Sequence, residues 1–270
     1  VLGLSGTGYL GDGTNGGPIS HISTGSNHTC ALKSDGSRVY CWGANGSGQI
    51  GINSVVTPQM IPVQVLGLSG TGYLGDGTNG GPISSIDAGP AHLCALKSDG
   101  SRVYCWGWNG SGQVGINNTT TPQMVPVEVL GLSGTGYLGD GTNGGPISHI
   151  STGSNHTCAL KSDGSRVYCW GANGSGQIGI NSVVTPQMIP VQVLGLSGTG
   201  YLGDGTNGGP ISHISTGSNH TCALKSDGSR VYCWGANGSG QIGINSVVTP
   251  QMIPVQVLGL SGTGYLGDGT

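Results

Sequence analysis

The sequence predicts an all-β chain organised as a tandem array, with about four short strands in every 64-residue unit. Three observations carry this. The segment VLGLSGTGYLGDGTNGGPIS starts at Val1, Val65, Val129 and Val193, and begins again at Val257. A period of that length marks a repeat architecture, in which each unit is one supersecondary block completed by its neighbours. Within a unit, short runs of alternating or β-branched residues are separated by Gly, Pro, Asn and Asp clusters at fixed phase, the pattern of strands and turns. No window carries helical periodicity or a capping signal. The repeats are 1–64, 65–128, 129–192 and 193–256, and 257–270 opens a fifth. The first, third and fourth are identical, and the second differs at thirteen positions. A start at Val1 and an end in mid-repeat are expected of a window on a longer array.

Taken in order, a unit opens on the glycine-rich stretch 6–18, a loop leading in from the preceding block. Ile19 to Ile22 alternate with period two and read as the first strand. Residues 28–34 and 37–43 flank Asp35-Gly36, a favoured type I′ hairpin turn, and form the second and third strands. Asn45 to Gly48 is a turn, followed by the short Gln49-Ile-Gly-Ile52. Residues 60–67 form the fourth, with Pro62 placing it at an edge or a bulge.

Folding the hairpin about Asp35-Gly36 sets Leu32 opposite Val39, Ala31 opposite Tyr40 and Cys30 opposite Cys41. Directly opposed residues have Cβ atoms about 4.5–5.5 Å apart, within reach of a disulfide at a close pair. The expected bridges are Cys30–Cys41, Cys94–Cys105, Cys158–Cys169 and Cys222–Cys233, one per unit. They imply an oxidising, extracellular or cell-surface location. The competing reading is eight free buried thiols in a cytosolic protein.

Composition narrows the function. Charged residues make up only 7% of the chain and the net charge is −3, with no basic run to neutralise phosphates, so nucleic acid is not an expected partner. No apolar stretch approaches the roughly 18 residues of a membrane helix. The 57 glycines recur at fixed phase and read as turn positions rather than low complexity.

The text His28-Thr-Cys-Ala-Leu, Asp35-Gly36, Trp42-Gly43-Ala-Asn45 and Gly48-Gln49-Ile-Gly51, with its counterparts in the other units, resembles the repeat of the regulator of chromosome condensation family. The resemblance covers about 50 of every 64 residues. It implies a β-propeller of four-stranded blades, one blade per unit, usually seven to a closed ring. The paired cysteines are similar to those of secreted bacterial members. Two departures stand out: the stretch 6–18 is an insertion between blades, and four blades are too few for the usual ring. Closure therefore stays open at this point.

Several motifs were weighed as sites. Gly6-Thr-Gly-Tyr-Leu-Gly11 spells the dinucleotide fingerprint, but AspGlyThrAsnGlyGlyPro follows it and opens no helix. Asp12 and Asn15 offer oxygens for a hard cation, yet one carboxylate per loop is ordinary turn chemistry. His28 with Cys30, Cys41 and His21 lacks zinc-ligand spacing, and Ser85 replaces His21 in the second unit. Catalysis is not expected, because no nucleophile elbow is present. No cofactor is expected either. Asn27, Asn155 and Asn219 are glycan-acceptor sequons outside Asn-Gly turns, and Ala91 removes the sequon in the second unit. Trp42, Trp106, Trp170 and Trp234 read as packing residues beside the disulfide. Trp108 stands where the other units have alanine, in an exposed turn, and is the candidate contact residue.

The leading expectation is a non-catalytic extracellular structural protein that assembles with copies of itself into a fibre or scaffold. Near-identical units present the same faces repeatedly, and heterologous contacts that do not close make filaments. The alternative is a secreted closed propeller that binds a protein or glycan through its loops. The nucleotide-exchange role for which the family is named fits poorly with paired cysteines and few basic residues.

Overall fold

Each unit folds into one antiparallel sheet whose four strands lie in sequence order. The computed structural model describes residues 1–184 and 186–269. The first sheet contains β1 (Ile19–Thr24), β2 (His28–Lys33), β3 (Val39–Gly43) and β4 (Gln59–Gln64). The second contains β5 (Ile83–Ala88), β6 (His92–Lys97), β7 (Val103–Gly107) and β8 (Gln123–Glu128). The third contains β9 (Ile147–Thr152), β10 (His156–Lys161), β11 (Val167–Gly171) and β12 (Gln187–Gln192). The fourth contains β13 (Ile211–Thr216), β14 (His220–Lys225), β15 (Val231–Gly235) and β16 (Gln251–Gln256). The sheets are propeller-like blades. Their first strands pack against one another from blade to blade, β1 on β5, β5 on β9 and β9 on β13. The loops after those strands, 24–26, 88–90, 152–154 and 216–218, line one shared cavity. No helix among the described residues is long and apolar enough to cross a membrane.

The hairpin register is the one that the cysteine spacing dictates: Leu32 faces Val39, Ala31 faces Tyr40 and Cys30 faces Cys41. All four cysteine pairs are joined as disulfides, and none is free among the described residues. The turn itself differs from the expected type I′. Gly36 alone takes a left-handed backbone, with φ of 72°. Its N–H donates to the Lys33 carbonyl at 2.9 Å, and Lys33 N–H donates to Arg38 O at 3.0 Å. Asp35 keeps an ordinary backbone and uses its carboxylate instead, accepting from Ser37 N–H at 2.9 Å. A side-chain cap at Asp35 thus replaces the second left-handed residue.

Gln49 to Ile52 continues the turn, because Gly51 sits at φ 74° and its N–H closes back on Gly48 O at 3.0 Å. Asn45, fully buried, holds this turn: its Oδ1 accepts from Ile50 N–H at 3.0 Å and its Nδ2 donates to Ser54 O at 2.8 Å. β4 is the outermost strand, where the missing N–H of Pro62 is tolerated, and the register shifts between Cys41 and Gly43 opposite it.

The core lies between blades, not within them. One cluster joins Cys30, Leu32 and Val39 of the first blade to Ile83, Ile86, Leu93 and Trp106 of the second, and two more repeat it. That is why β2 reads as an unbroken apolar run, buried at Cys30, Ala31 and Leu32: it is central in its sheet and covered by the next blade. The inserted glycine-rich loop belongs to the same layer. Leu74, at its centre, is fully buried within the first cluster, and Gly75 lies against the Gly36 carbonyl, too close for any Cβ.

Candidate functional site

The recurrent chemistry of the chain is the junction between successive blades. Trp106, Trp170 and Trp234 are completely buried. Each donates its indole N–H to the carbonyl of the glutamine one blade earlier, at Gln49, Gln113 and Gln177, over 2.8–3.0 Å. A backbone rung lies beside each: Ile83, Ile147 and Ile211 N–H donate to Gly36, Gly100 and Gly164 O, all at 2.9 Å. A second rung joins Asn53, Asn117 and Asn181 N–H to Met124, Met188 and Met252 O at 2.9 Å. An indole needs a partner for its N–H when buried, so these contacts fix the relative position of two sheets as well as covering apolar area.

A polar relay runs through the later two junctions. His92 Nε2 lies 3.0 Å from Thr157 Oγ1, and that hydroxyl donates to Gln113 O at 2.9 Å. The hydroxyl proton is committed to Gln113, so His92 donates to Thr157. His156, Thr221 and Gln177 repeat the arrangement. Burial, reinforced by neighbouring buried histidines, pushes the pKa of His92 and of His156 down to about 3. The first junction differs. Leu93 occupies the threonine position, and buried His28 has no hydrogen-bond partner on either ring nitrogen among the described residues. Burial alone pushes its pKa down to about 4.

The second unit also carries a carboxylate where the others have serine. Asp87 Oδ2 accepts from Thr152 N–H at 2.6 Å and Thr152 Oγ1 at 2.9 Å, while Oδ1 accepts from Ser23 Oγ at 3.3 Å. It therefore links three consecutive blades beside the shared cavity.

Outside the junctions, each unit forms a groove lined by its Lys, Arg and Tyr. Their cations already have partners. Lys33 Nζ sits 2.6 Å from Asp35 Oδ2, and Arg38 stacks 4.9 Å from the Tyr73 ring centroid while donating to Gln64 Oε1 at 3.1 Å. In the second unit Glu128 replaces that glutamine and pairs with Arg102 at 3.0 Å. The Asp76 turn is likewise self-contained: both carboxylate oxygens accept from donors at Tyr73, Thr78 and Asn79, and the backbone N–H of Tyr73 leads in holding its pKa well below the usual range.

Of the residues singled out in the sequence, Asn27 is exposed. Asn155 and Asn219 each accept from a glutamine of the preceding blade, Gln113 at 3.3 Å and Gln177 at 3.4 Å. Trp108 is 41% exposed and lies over Gly110, where a Cβ would stand 2.7 Å from its ring. The Trp–Gln and His–Thr contacts were not foreseen. Their one sequence signal is that the partners recur together, one period plus or minus a few residues apart.

The first and fourth blades show what each half of the junction covers. On the first blade Ile22 is 72% exposed where Ile86 is 7%, Met60 is 85% exposed, and Trp42 is only partly buried. On the fourth blade Leu224 and Val231 are half-exposed, where Leu32 and Val39 are covered. Gly228 and Gly240 face open space, whereas their counterparts Gly36 and Gly48 abut Ile83 and Met124.

Known proteins share this plan. The chain is 31% identical over 227 residues to the human probable E3 ubiquitin-protein ligase HERC6, covering 83% of this chain and 19% of that protein. It is 30% identical over 239 residues to the ultraviolet-B receptor UVR8 of Arabidopsis thaliana, covering 88% and 46%. The chain thus spans a fifth to a half of the length of these relatives. Among solved structures, human WBSCR16 superposes with a TM-score of 0.72 at 21% identity, covering 91% of this chain and 54% of that one. Yeast RCC1 (Prp20), solved with Kap60, gives 0.67 at 19% identity, covering 90% and 49%. Models of the regulator of chromosome condensation (RCC1) repeat match residues 37–96, 101–160, 165–224 and 229–265, and a second model of that repeat matches 19–49, 83–113, 147–177 and 211–241. With its strand order, its disulfide-bearing hairpins and these matches, the chain belongs to the RCC1 repeat family of β-propeller proteins.

Proposed function

We propose that this chain is a non-catalytic protein-assembly module of the extracytoplasmic space, whose blades join copies of themselves head to tail through the junction that recurs between successive units. The observation that supports this is the junction: its indole-to-carbonyl bond and its two backbone rungs recur at all three blade interfaces. Contacts of this heterologous kind extend an array until rotation closes it into a ring. Low surface charge leaves little repulsion to oppose it. The buried disulfides support an oxidising location, since such bridges persist outside the reducing cytosol. The junction side chains serve packing and hydrogen bonding, which supports a binding rather than a catalytic role.

Sedimentation velocity and electron microscopy of the non-denatured chain test this. The expected result is concentration-dependent association into rings or filaments whose repeat is a whole number of blades. Ile22→Lys, which places a charge where the equivalent Ile86 packs in a junction, should abolish association while leaving the far-ultraviolet circular dichroism unchanged. A wild-type chain that stays monomeric at every concentration overturns the reading. A second reading, docking of an unrelated protein, is favoured by exposed Trp108, since exposed tryptophan is a common anchor of interfaces. Trp108→Ala would then abolish binding and leave self-association intact.

A further inference from the structure

We propose that His149 and His213 together form a site for a divalent first-row transition-metal ion, Cu2+ or Zn2+, bridging the third and fourth blades. The two residues occupy equivalent positions on β9 and β13, the adjacent first strands of those blades. Their ring centroids are 5.1 Å apart, with the planes inclined at 57°. Two imidazoles bound to one ion through nitrogens at about 2.0–2.1 Å, near the tetrahedral angle, have centroids about 5 Å apart. The observed centroid separation matches that requirement.

Hydrogen bonding also orients the rings. His149 Nδ1 lies 3.0 Å from Ser148 Oγ, which itself lies 3.4 Å from Leu160 O. Ser212, Leu224 and His213 repeat this at 3.4 and 3.0 Å. The serine contact at Nδ1 orients each ring as outer-shell partners do and leaves Nε2 as the nitrogen for the metal. Neutral imidazole suits copper and zinc, with Cu2+ the tighter of the two. Water completes the coordination shell.

The chain contains its own control. His21 has the same serine contact, with Nδ1 3.0 Å from Ser20 Oγ, but the adjoining first strand carries Ser85. One imidazole stands there alone. The site therefore arises wherever two consensus units are neighbours, and the second unit interrupts the series.

The test titrates the full chain with Cu2+, followed by electron paramagnetic resonance, and with Zn2+, followed by calorimetry. One ion per chain is expected, with copper hyperfine structure from two nitrogens. His149→Ala and His213→Ala should each weaken binding roughly tenfold or more, as loss of one of two ligands requires, whereas His21→Ala should leave it unchanged. Ser85→His should add binding capacity by giving His21 and His149 a new neighbour. A single-nitrogen signal in the wild type, or equal affinity in His149→Ala and His21→Ala, overturns the proposal. Unchanged circular dichroism and an unchanged sedimentation profile without metal show that a variant has lost the site and not the fold or the assembly.

Discussion

Thr157 shows how much one hydroxyl carries. It receives the proton of His92 and passes its own to Gln113 O, in a site where all three groups are shielded from water. Thr157→Val keeps the shape and removes both bonds. Gln113 O retains the Trp170 indole at 2.8 Å, so the orphaned group is His92. Leaving a buried donor unsatisfied costs about 1–3 kcal/mol, and that loss is expected in chemical denaturation. Thr29 is the same residue on the first blade, only half-buried, and Thr29→Val should cost under about 0.5 kcal/mol, as substitutions away from buried networks do. Equal costs at the two positions would show that the threonine acts within its own strand and not across the junction. The second unit has made this exchange naturally: Leu93 fills the threonine site with apolar volume, and His28 stands without a partner.

At the scale of the element, the blade depends on the tryptophan of the next one. Trp170→Ala should cost about 3–5 kcal/mol, the usual range for a fully buried aromatic, and should release the hydrogen bond to Gln113. Trp42→Ala should cost clearly less, because Trp42 is only partly buried. Denaturation midpoints of the two variants check the difference, and near-equal losses would place the tryptophan's role inside its own sheet. The hairpin was legible in the sequence because twelve local residues set its register: Cys30 can meet Cys41 in one pairing only. The family's Asp, Asn and Gln positions were legible as motifs, and Asn45 proves to be the peg of a turn. What stayed hidden is of two kinds. A left-handed Gly51 carries the turn on through GlnIleGlyIle, and backbone sign is not written in hydropathy. Contacts such as His92 with Thr157 or His149 with His213 span a whole period, and depend on how one sheet is rotated on the next. The glycine-rich loop combined both difficulties, and its Leu74 is core although its surroundings read as linker.

Across the whole molecule, three buried histidines and the half-buried His220, one in each blade, make stability a function of pH. His28, His92 and His156 have pKa values pushed down by burial to about 4, 3 and 3, and His220 is lowered for the same reason. In the unfolded chain each returns to 6.5, the ordinary value. Well above pH 6.5 these residues are neutral in both states and contribute no slope. Below it, the unfolded chain binds protons that the folded chain refuses, so stability falls as pH falls, and continues to fall down to pH 3–4. The slope reaches about 1.4 kcal/mol per pH unit for each histidine. The turn carboxylates Asp76, Asp140 and Asp204 are also lowered, but from 3.8, so their loss begins only near the bottom of that window. Denaturation midpoints at pH 7.5, 6.5, 5.5 and 4.5 should therefore fall only slightly across the first interval and drop steeply across the next two. His92→Gln should reduce the drop by one histidine's share, since an amide has no proton to gain in this range. Midpoints that stay level down to pH 4 would assign acid sensitivity to the carboxylate turns and remove the histidines from the account.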